Sequence, residues 1–335
     1  MFEVCEATHP ALRGGKPAAF RVRDGQVLRG EWLFPEGKPV AVVALSHAMM
    51  VDRRTLDRPP GEGLLSALVA AQLQVFWFDQ RGHGQSGPCA ADHAEWDYDT
   101  LVEDAGAVAA YVQAMAPDLP VIAVGHSLFA HVALAWQAVS TGEAPRFDGL
   151  VLLAGNVWLR ALEPSGARFW LKRLSFLGLL ALTRWHGYFP AVRLSVGSAD
   201  EPLPYLLQMG SWLSSGDYTD RNGGSYRQKL GRVQVPILSV AGAGDHLMAV
   251  PSCQLRFVLE TAGSVTHWTI GRRFCAAIDP DHMSLVMSQA LSPVYRDVAA
   301  WIATPNRFAK TGQTPPHQTP AHQTPAHQTP TGVLS

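Results

Sequence analysis

Residues 121–130, Val-Ile-Ala-Val-Gly-His-Ser-Leu-Phe-Ala, place a serine hydroxyl where an apolar run ends and a second apolar stretch begins. Four apolar residues lead into Gly125-His126-Ser127. The following Leu-Phe-Ala-His-Val-Ala-Leu-Ala-Trp has the composition of a buried helix. A strand turning sharply into a helix lifts a corner hydroxyl above the sheet edge and aims the next backbone N–H at the same space. That is the geometry of a nucleophile, although a serine in such a turn also serves as a helix N-cap. A serine hydroxyl attacks a carbonyl only when a base within about 2.6–3.2 Å takes its proton. The base is an imidazole whose other nitrogen is held by a carboxylate. Histidines at 47, 83, 126, 246 and 282, and aspartates at 79, 245, 279 and 281, are the candidates for those two roles.

The elements that must position these groups alternate along the chain. Residues 18–34 alternate in polarity around Arg23-Asp24-Gly25, as a hairpin does. Continuous apolar runs at 40–45, 75–78, 121–124 and 149–154 read as strands covered on both faces; 236–244 resumes the sheet, and 265–270 is the last strand. Helical stretches near 61–73, 99–115, 251–261 and 289–303 separate them. Strands alternating with helices imply right-handed crossovers and a parallel sheet with helices on both faces. The expectation is a mostly parallel eight-stranded sheet. After its sixth strand the alternation stops, and residues 157–232 carry Trp158, Trp170, Trp185 and Trp212 among apolar helical runs with no buried strand. We expect a helical lid there. Residues 1–310 would form one domain. From Thr311 to Ser335 a His-Gln-Thr-Pro repeat offers nothing to bury and reads as a disordered tail.

Five features in chain order resemble the α/β-hydrolase superfamily, and within it the lysophospholipase and serine-aminopeptidase-like branch. They are Ser46-His47-Ala48-Met49, then Asp79-Gln-Arg-Gly-His-Gly-Gln-Ser, then Gly125-His126-Ser127, then Gly244-Asp245, then His282, each at the end of an expected strand. The resemblance spans about residues 15–305 and implies a serine hydrolase cleaving carboxylic esters through an acyl-enzyme. Its catalytic order, Ser then Asp then His, maps onto Ser127, Asp245 and His282. It implies oxyanion-hole N–H groups from Met49 and Leu128. It gives structural roles near the site to His47, Gly125 and His126, and it assigns Asp79 and Arg81 to holding their own loop. Asp279 and Asp281, too close to His282 in sequence to reach its ring, are expected to cap the next turn. The resemblance departs at Phe129 and Ala130, which stand where relatives carry glycine. A phenyl ring there must find room, and the space over Ala154 and Gly155 is the expected place. An elbow disturbed by that ring would leave a ligand-binding protein with the hydrolase fold. An acyltransferase or a peptidase could use the same three residues.

Composition narrows the partners. The chain has 335 residues, 47 % apolar and 16 % charged, with formal net charge −1 and no block of like charge, which argues against nucleic acid. A small ester with an apolar acyl group is the expected substrate; no cofactor and no metal are called for. The four cysteines at 5, 89, 253 and 275 lack metal-type spacing and read as free thiols in a reducing cytoplasm. The start lacks the basic and apolar regions of a signal peptide. The apolar run Leu174–Leu182 is far short of the roughly 20 residues that span a bilayer. A buried helix is the expectation for it, with peripheral membrane contact of the lid as the alternative.

Overall fold

The computed structural model describes residues 2–274, 276–304, 307 and 308, so the repeat tail and Cys275 lie outside the described residues. Among the described residues, eleven strands and nine α-helices follow in chain order. β1 (Glu3–Cys5), β2 (Lys16–Arg21), β3 (Val27–Leu33) and β4 (Ala41–Ser46) come first, then α1 (Leu64–Ala70), β5 (Leu73–Asp79) and α2 (Tyr98–Met115). Next are β6 (Val121–His126), α3 (Leu128–Val139), β7 (Gly149–Leu153), α4 (Gly166–His186), β8 (Tyr188–Phe189), β9 (Glu201–Pro202), α5 (Leu203–Ser215) and α6 (Tyr226–Lys229). The chain closes with β10 (Ile237–Gly242), α7 (Pro251–Val258), β11 (Val265–Ile270), α8 (Ser284–Met287) and α9 (Ser292–Ala303).

The central sheet has the order β1-β2-β3-β5-β4-β6-β7-β10-β11. It therefore has nine strands, not eight: Glu3–Cys5 adds an antiparallel edge strand on β2, in the register Val4 to Phe20. Three exposed or half-buried residues carry too little apolar pattern to announce a strand, and backbone pairing to β2 makes one. From β5 onward all neighbours run parallel. Every residue of β4, β6, β7 and β10 is buried, which is why these segments are unbroken apolar runs. α1 and α9 pack one face around Leu65, Leu68, Val298 and Ile302, while α2, α3 and α7 cover the other through Val108, Val132 and Phe257.

Residues 154–236 lie between β7 and β10 and contain α4, α5 and α6, with α4 packed on α5 and α6 on α3. A two-stranded ladder, β8 with β9, also forms within this stretch, where no strand is expected. Its two residue pairs are too few to leave a period-two pattern in the sequence. The apolar run Leu174–Leu182 sits in α4 and is not a fully buried helix. Phe169, Lys172, Phe176, Leu180 and Thr183 recur at helical spacing on the buried face. Trp170, Leu171, Leu174, Leu177 and Trp185 are exposed, Trp185 at 84 %. No helix among the described residues is long and apolar enough to cross a membrane.

Candidate functional site

Ser127 is the hinge between β6 and α3 and holds φ +50°, a left-handed backbone uncommon for a residue with a Cβ. The neighbours impose it. The Ser127 N–H donates to the Leu153 carbonyl of β7 at 2.8 Å, and a Cβ on Gly125 would lie 2.3 Å from the Ala130 nitrogen. Only glycine at 125 lets α3 start this close to its own strand.

Asp245 follows β10 and His282 lies in the loop between β11 and α8. The two loops touch through the Gly244 N–H, which donates to the Pro280 carbonyl at 3.0 Å. Across that contact the His282 Nδ1 lies 2.8 Å from Asp245 Oδ2, and its Nε2 lies 2.9 Å from the Ser127 hydroxyl oxygen. Asp245 is 3 % exposed and accepts more than the imidazole. Its Oδ1 takes the Met248 N–H at 2.8 Å and the Leu247 N–H at 3.3 Å, and Oδ2 also takes the Ala249 N–H at 2.9 Å. Burial alone would push this carboxyl up; the contact with His282 and the backbone donors outweigh it and hold the pKa below the ordinary 3.8. The group is a carboxylate at neutral pH, so Nδ1 carries a proton and Nε2 is the nitrogen that faces the Ser127 hydroxyl.

The other histidines are placed by the same accounting. His126 is buried, and its Nε2–H donates to the His282 carbonyl at 2.9 Å, pinning the loop that carries that imidazole. Burial and the neighbouring His282 drive the His126 pKa down to about 3, which keeps its ring neutral. His47 donates Nδ1–H to the Ala48 carbonyl at 2.8 Å and accepts the Gln80 N–H on Nε2 at 3.1 Å. Its own carbonyl receives the Phe129 N–H at 3.3 Å and the Gln80 side-chain amide at 2.8 Å, tying the loop after β4 to the start of α3. His83 faces Glu201, and His246 lies outside the Ser127–His282–Asp245 chain.

Met49 and Leu128 line the cavity that contains Ser127 and His282, and among the described residues neither N–H has a hydrogen-bond acceptor. Met50, at φ +61°, is held next to them. Its N–H donates to Glu201 Oε1 at 2.6 Å, and its carbonyl receives the Ser198 and Ala199 N–H groups. The insertion thus clamps the loop that presents Met49. His83 donates Nδ1–H to the Arg81 carbonyl at 2.7 Å and Nε2–H to the same Glu201 oxygen at 3.1 Å, so both ring nitrogens carry protons. Burial disfavours that charge, but Glu201 outweighs it and the His83 pKa is raised. Nothing in the sequence points to Glu201, which is 151 residues from Met50.

Asp79 and Arg81 hold different partners. Asp79 accepts the Arg53 N–H at 2.8 Å, the Arg53 guanidinium and the Gln85 N–H at 2.9 Å. Arg81 grips Asp104 bidentately at 2.6 and 2.7 Å and reaches Asp24 at 2.7 Å, joining the turn to α2 and to the β2–β3 hairpin. Asp281 caps its turn, accepting the Ser284 N–H at 2.8 Å, but Asp279 turns back to the Arg272 N–H at 2.8 Å.

The comparisons agree with this architecture. A family model described as serine aminopeptidase, S33, matches residues 38–188. Monoglyceride lipase from Homo sapiens is 24 % identical over 296 residues, covering 87 % of this chain and 92 % of the human protein. The crystal structure of a highly thermostable carboxyl esterase from Bacillus coagulans, in complex with glycerol, aligns at TM-score 0.57 and 18 % identity, over 86 % of this chain and 97 % of that one. An esterase from Pyrococcus furiosus aligns at TM-score 0.52 and 16 % identity, over 86 % of this chain and 88 % of its own. The fold is the α/β-hydrolase fold. In sequence the chain resembles the lysophospholipase-like and serine-aminopeptidase hydrolases.

Phe129 stands where the resemblance expects glycine, and its ring does not lie over Ala154 and Gly155. It is 1 % exposed and meets Phe78 of β5 edge to face, centroids 5.1 Å apart at 87°. Ala130 is the residue that faces β7: a Cβ on Gly155 would lie 2.7 Å from the Ala130 Cβ. Here the glycine stands at the strand end opposite α3, and helix and sheet approach closely there. The turn at Ser127 keeps its φ with the ring in place.

Proposed function

We propose that this α/β-hydrolase is a serine hydrolase of carboxylic esters. The single observation supporting it is the His282 ring, within hydrogen-bond distance of Ser127 on one side and Asp245 on the other. In this reading Nε2 removes the Ser127 proton as the hydroxyl oxygen attacks the acyl carbonyl. Charge on the carbonyl oxygen is met by the Met49 and Leu128 N–H groups; loss of one such donor typically costs about 10²–10³ in rate. Collapse of the tetrahedral adduct expels the alcohol, which takes the proton from His282, and a water activated by the same nitrogen releases the acid from the acyl-enzyme.

The insertion is read as a lid. Trp158, Phe176, Leu179 and Met209 close over a cavity of about 90 Å³ whose walls are mostly apolar, which supports an apolar acyl group. The exposed apolar face of α4, flanked by Arg173 and Arg184, supports contact of that lid with a membrane surface holding the substrate. Free Cys5, Cys89 and Cys253 support a cytoplasmic setting.

Treatment with a fluorophosphonate at neutral pH tests the reading. Covalent labelling of the wild-type chain, lost in Ser127→Ala while the fold persists by circular dichroism, is the expected result. A wild-type chain that takes no label and turns over no p-nitrophenyl ester overturns it.

A further inference from the structure

The cavity contains one polar ring that this mechanism does not use. His131 lies one turn along α3 from Ser127, is 4 % exposed, and lines the cavity beside Ser127 and His282. Its Nδ1 is 2.8 Å from the Tyr98 hydroxyl, while Nε2 has no partner among the described residues. The Tyr98 hydroxyl also contacts the Tyr218 hydroxyl, and Tyr218 donates to the His131 backbone carbonyl at 3.2 Å.

Proton accounting along this chain leaves one arrangement that satisfies every contact. Tyr218 has a single proton and gives it to the His131 carbonyl. The contact between the two phenol oxygens then needs the Tyr98 proton. That leaves the Tyr98 oxygen as acceptor only, so Nδ1 of His131 must be the protonated nitrogen. The ring carries no second proton, because burial, with the neighbouring His282, pushes its pKa down to about 3. Nε2 is therefore a bare acceptor within a cavity whose other walls, apart from Ser127, His282 and Asn156, are apolar or aromatic side chains. Asn156, whose own Oδ1 is buried and unbonded, lines the same cavity. Unpaired buried acceptors are costly, and an occupant that brings a donor removes the cost.

We infer that His131 is a specificity-determining residue, accepting at Nε2 a hydrogen bond from a hydroxyl group of the substrate. The inference rests on the ester-hydrolase reading above and adds the substrate class, a hydroxylated ester. The hydroxyl belongs either to the alcohol part, as in a monoester of a polyol, or to the acyl part, as in a hydroxy-acid ester.

Paired substrates separate these cases. kcat/KM is measured for glycerol monobutyrate against propyl butyrate, and for ethyl 3-hydroxybutyrate against ethyl butyrate. The wild-type enzyme should favour the hydroxylated member of one pair, and which pair shows the preference locates the hydroxyl. In His131→Phe that preference should shrink about two- to tenfold, the loss of one neutral hydrogen bond. In Tyr98→Phe, which frees Nδ1 from its acceptor and lets the tautomer invert, it should also shrink. A ¹⁵N–¹H long-range spectrum of the wild-type chain should show the His131 proton on Nδ1, and this readout does not depend on the variants folding. A ring protonated at Nε2, or hydroxyl preference absent in both pairs, or equal in wild type and variants, overturns the inference while leaving the hydrolase standing. Absence of turnover on all four esters together with absence of fluorophosphonate labelling would instead remove the hydrolase reading on which it rests.

Discussion

Replacing Asp245 by asparagine should silence the base without moving it. The side chain keeps its shape but exchanges one acceptor oxygen for an NH₂ group. Two orientations are open. With the amide nitrogen at the Oδ1 position, it faces the Met248 and Leu247 N–H groups, and two donor–acceptor bonds become donor–donor contacts. With the amide nitrogen at the Oδ2 position, only the Ala249 bond is lost, and the amide can donate to His282 Nδ1. The second orientation keeps more bonds and is the one expected. It requires Nδ1 to be unprotonated, so the ring proton moves to Nε2 and points at the Ser127 hydroxyl. A protonated Nε2 cannot accept the serine proton. The expected loss is about 10⁴ in kcat, about 5.4 kcal/mol of barrier. Stability should fall by about 1–3 kcal/mol from the Ala249 N–H left without an acceptor. Steady-state hydrolysis of p-nitrophenyl butyrate with a parallel denaturant melt reads both quantities. Asp279→Asn, at a carboxylate that holds the Arg272 N–H, serves as the control and should keep kcat within a few fold. An Asp245→Asn enzyme that retains a tenth or more of wild-type kcat would refute the assignment of tautomer and acid together.

Phe129→Ala removes a fully buried ring and its edge-to-face contact with Phe78, so denaturant unfolding should show about 3–5 kcal/mol of lost stability. A loss under about 1 kcal/mol would mean that the ring is not an integral part of the packing of α3 on the sheet. Glu201→Gln should cost about 1.5–3 kcal/mol, since it removes the charge from a carboxylate oxygen that holds both the Met50 N–H and His83. Its pH signature has a definite sign. The His83 pKa is raised above 6.5, so its pairing with Glu201 stabilises fully below that value and is lost as pH rises through the higher folded pKa. Melting temperature against pH should therefore fall on the alkaline side in the wild type, and in Glu201→Gln that fall should move toward 6.5 or vanish. Identical wild-type and variant profiles would show that His83 is not charged through Glu201.

What the sequence made legible was local. Apolar runs that end in polar residues mark strand ends, and Ser127, Asp245 and His282 each follow such an end, so their meeting above one sheet edge is a consequence of parallel topology. What it hid was pairing across the chain. Asp79 sits two residues from Arg81, yet takes Arg53 from 26 residues away, because the turn aims Arg81 outward toward Asp104 and Asp24. Glu201 belongs to an insertion whose path no periodicity describes, so its grip on Met50 depends on how α4 and α5 settle over the sheet.

Phe129 shows why one residue out of pattern is a poor guide to a broken site. The glycine that the resemblance expects at this position would have two consequences, a thin helix face and freedom in the turn, and here they are met separately. The thin face comes from Ala130 against Gly155, with each methyl or missing methyl matched across the gap. The turn comes from Gly125 and from Ser127 itself, which takes φ +50° because Leu153 and Ala130 leave no other course. The phenyl ring then points toward β5, where Phe78 already presents an aromatic edge. Its backbone N–H, meanwhile, holds the His47 carbonyl and so helps set the loop that carries Met49. The substitution is thus absorbed by packing on the side of α3 facing β5, away from the hydroxyl, and the spacing from Ser127 to His282 does not depend on the identity of residue 129.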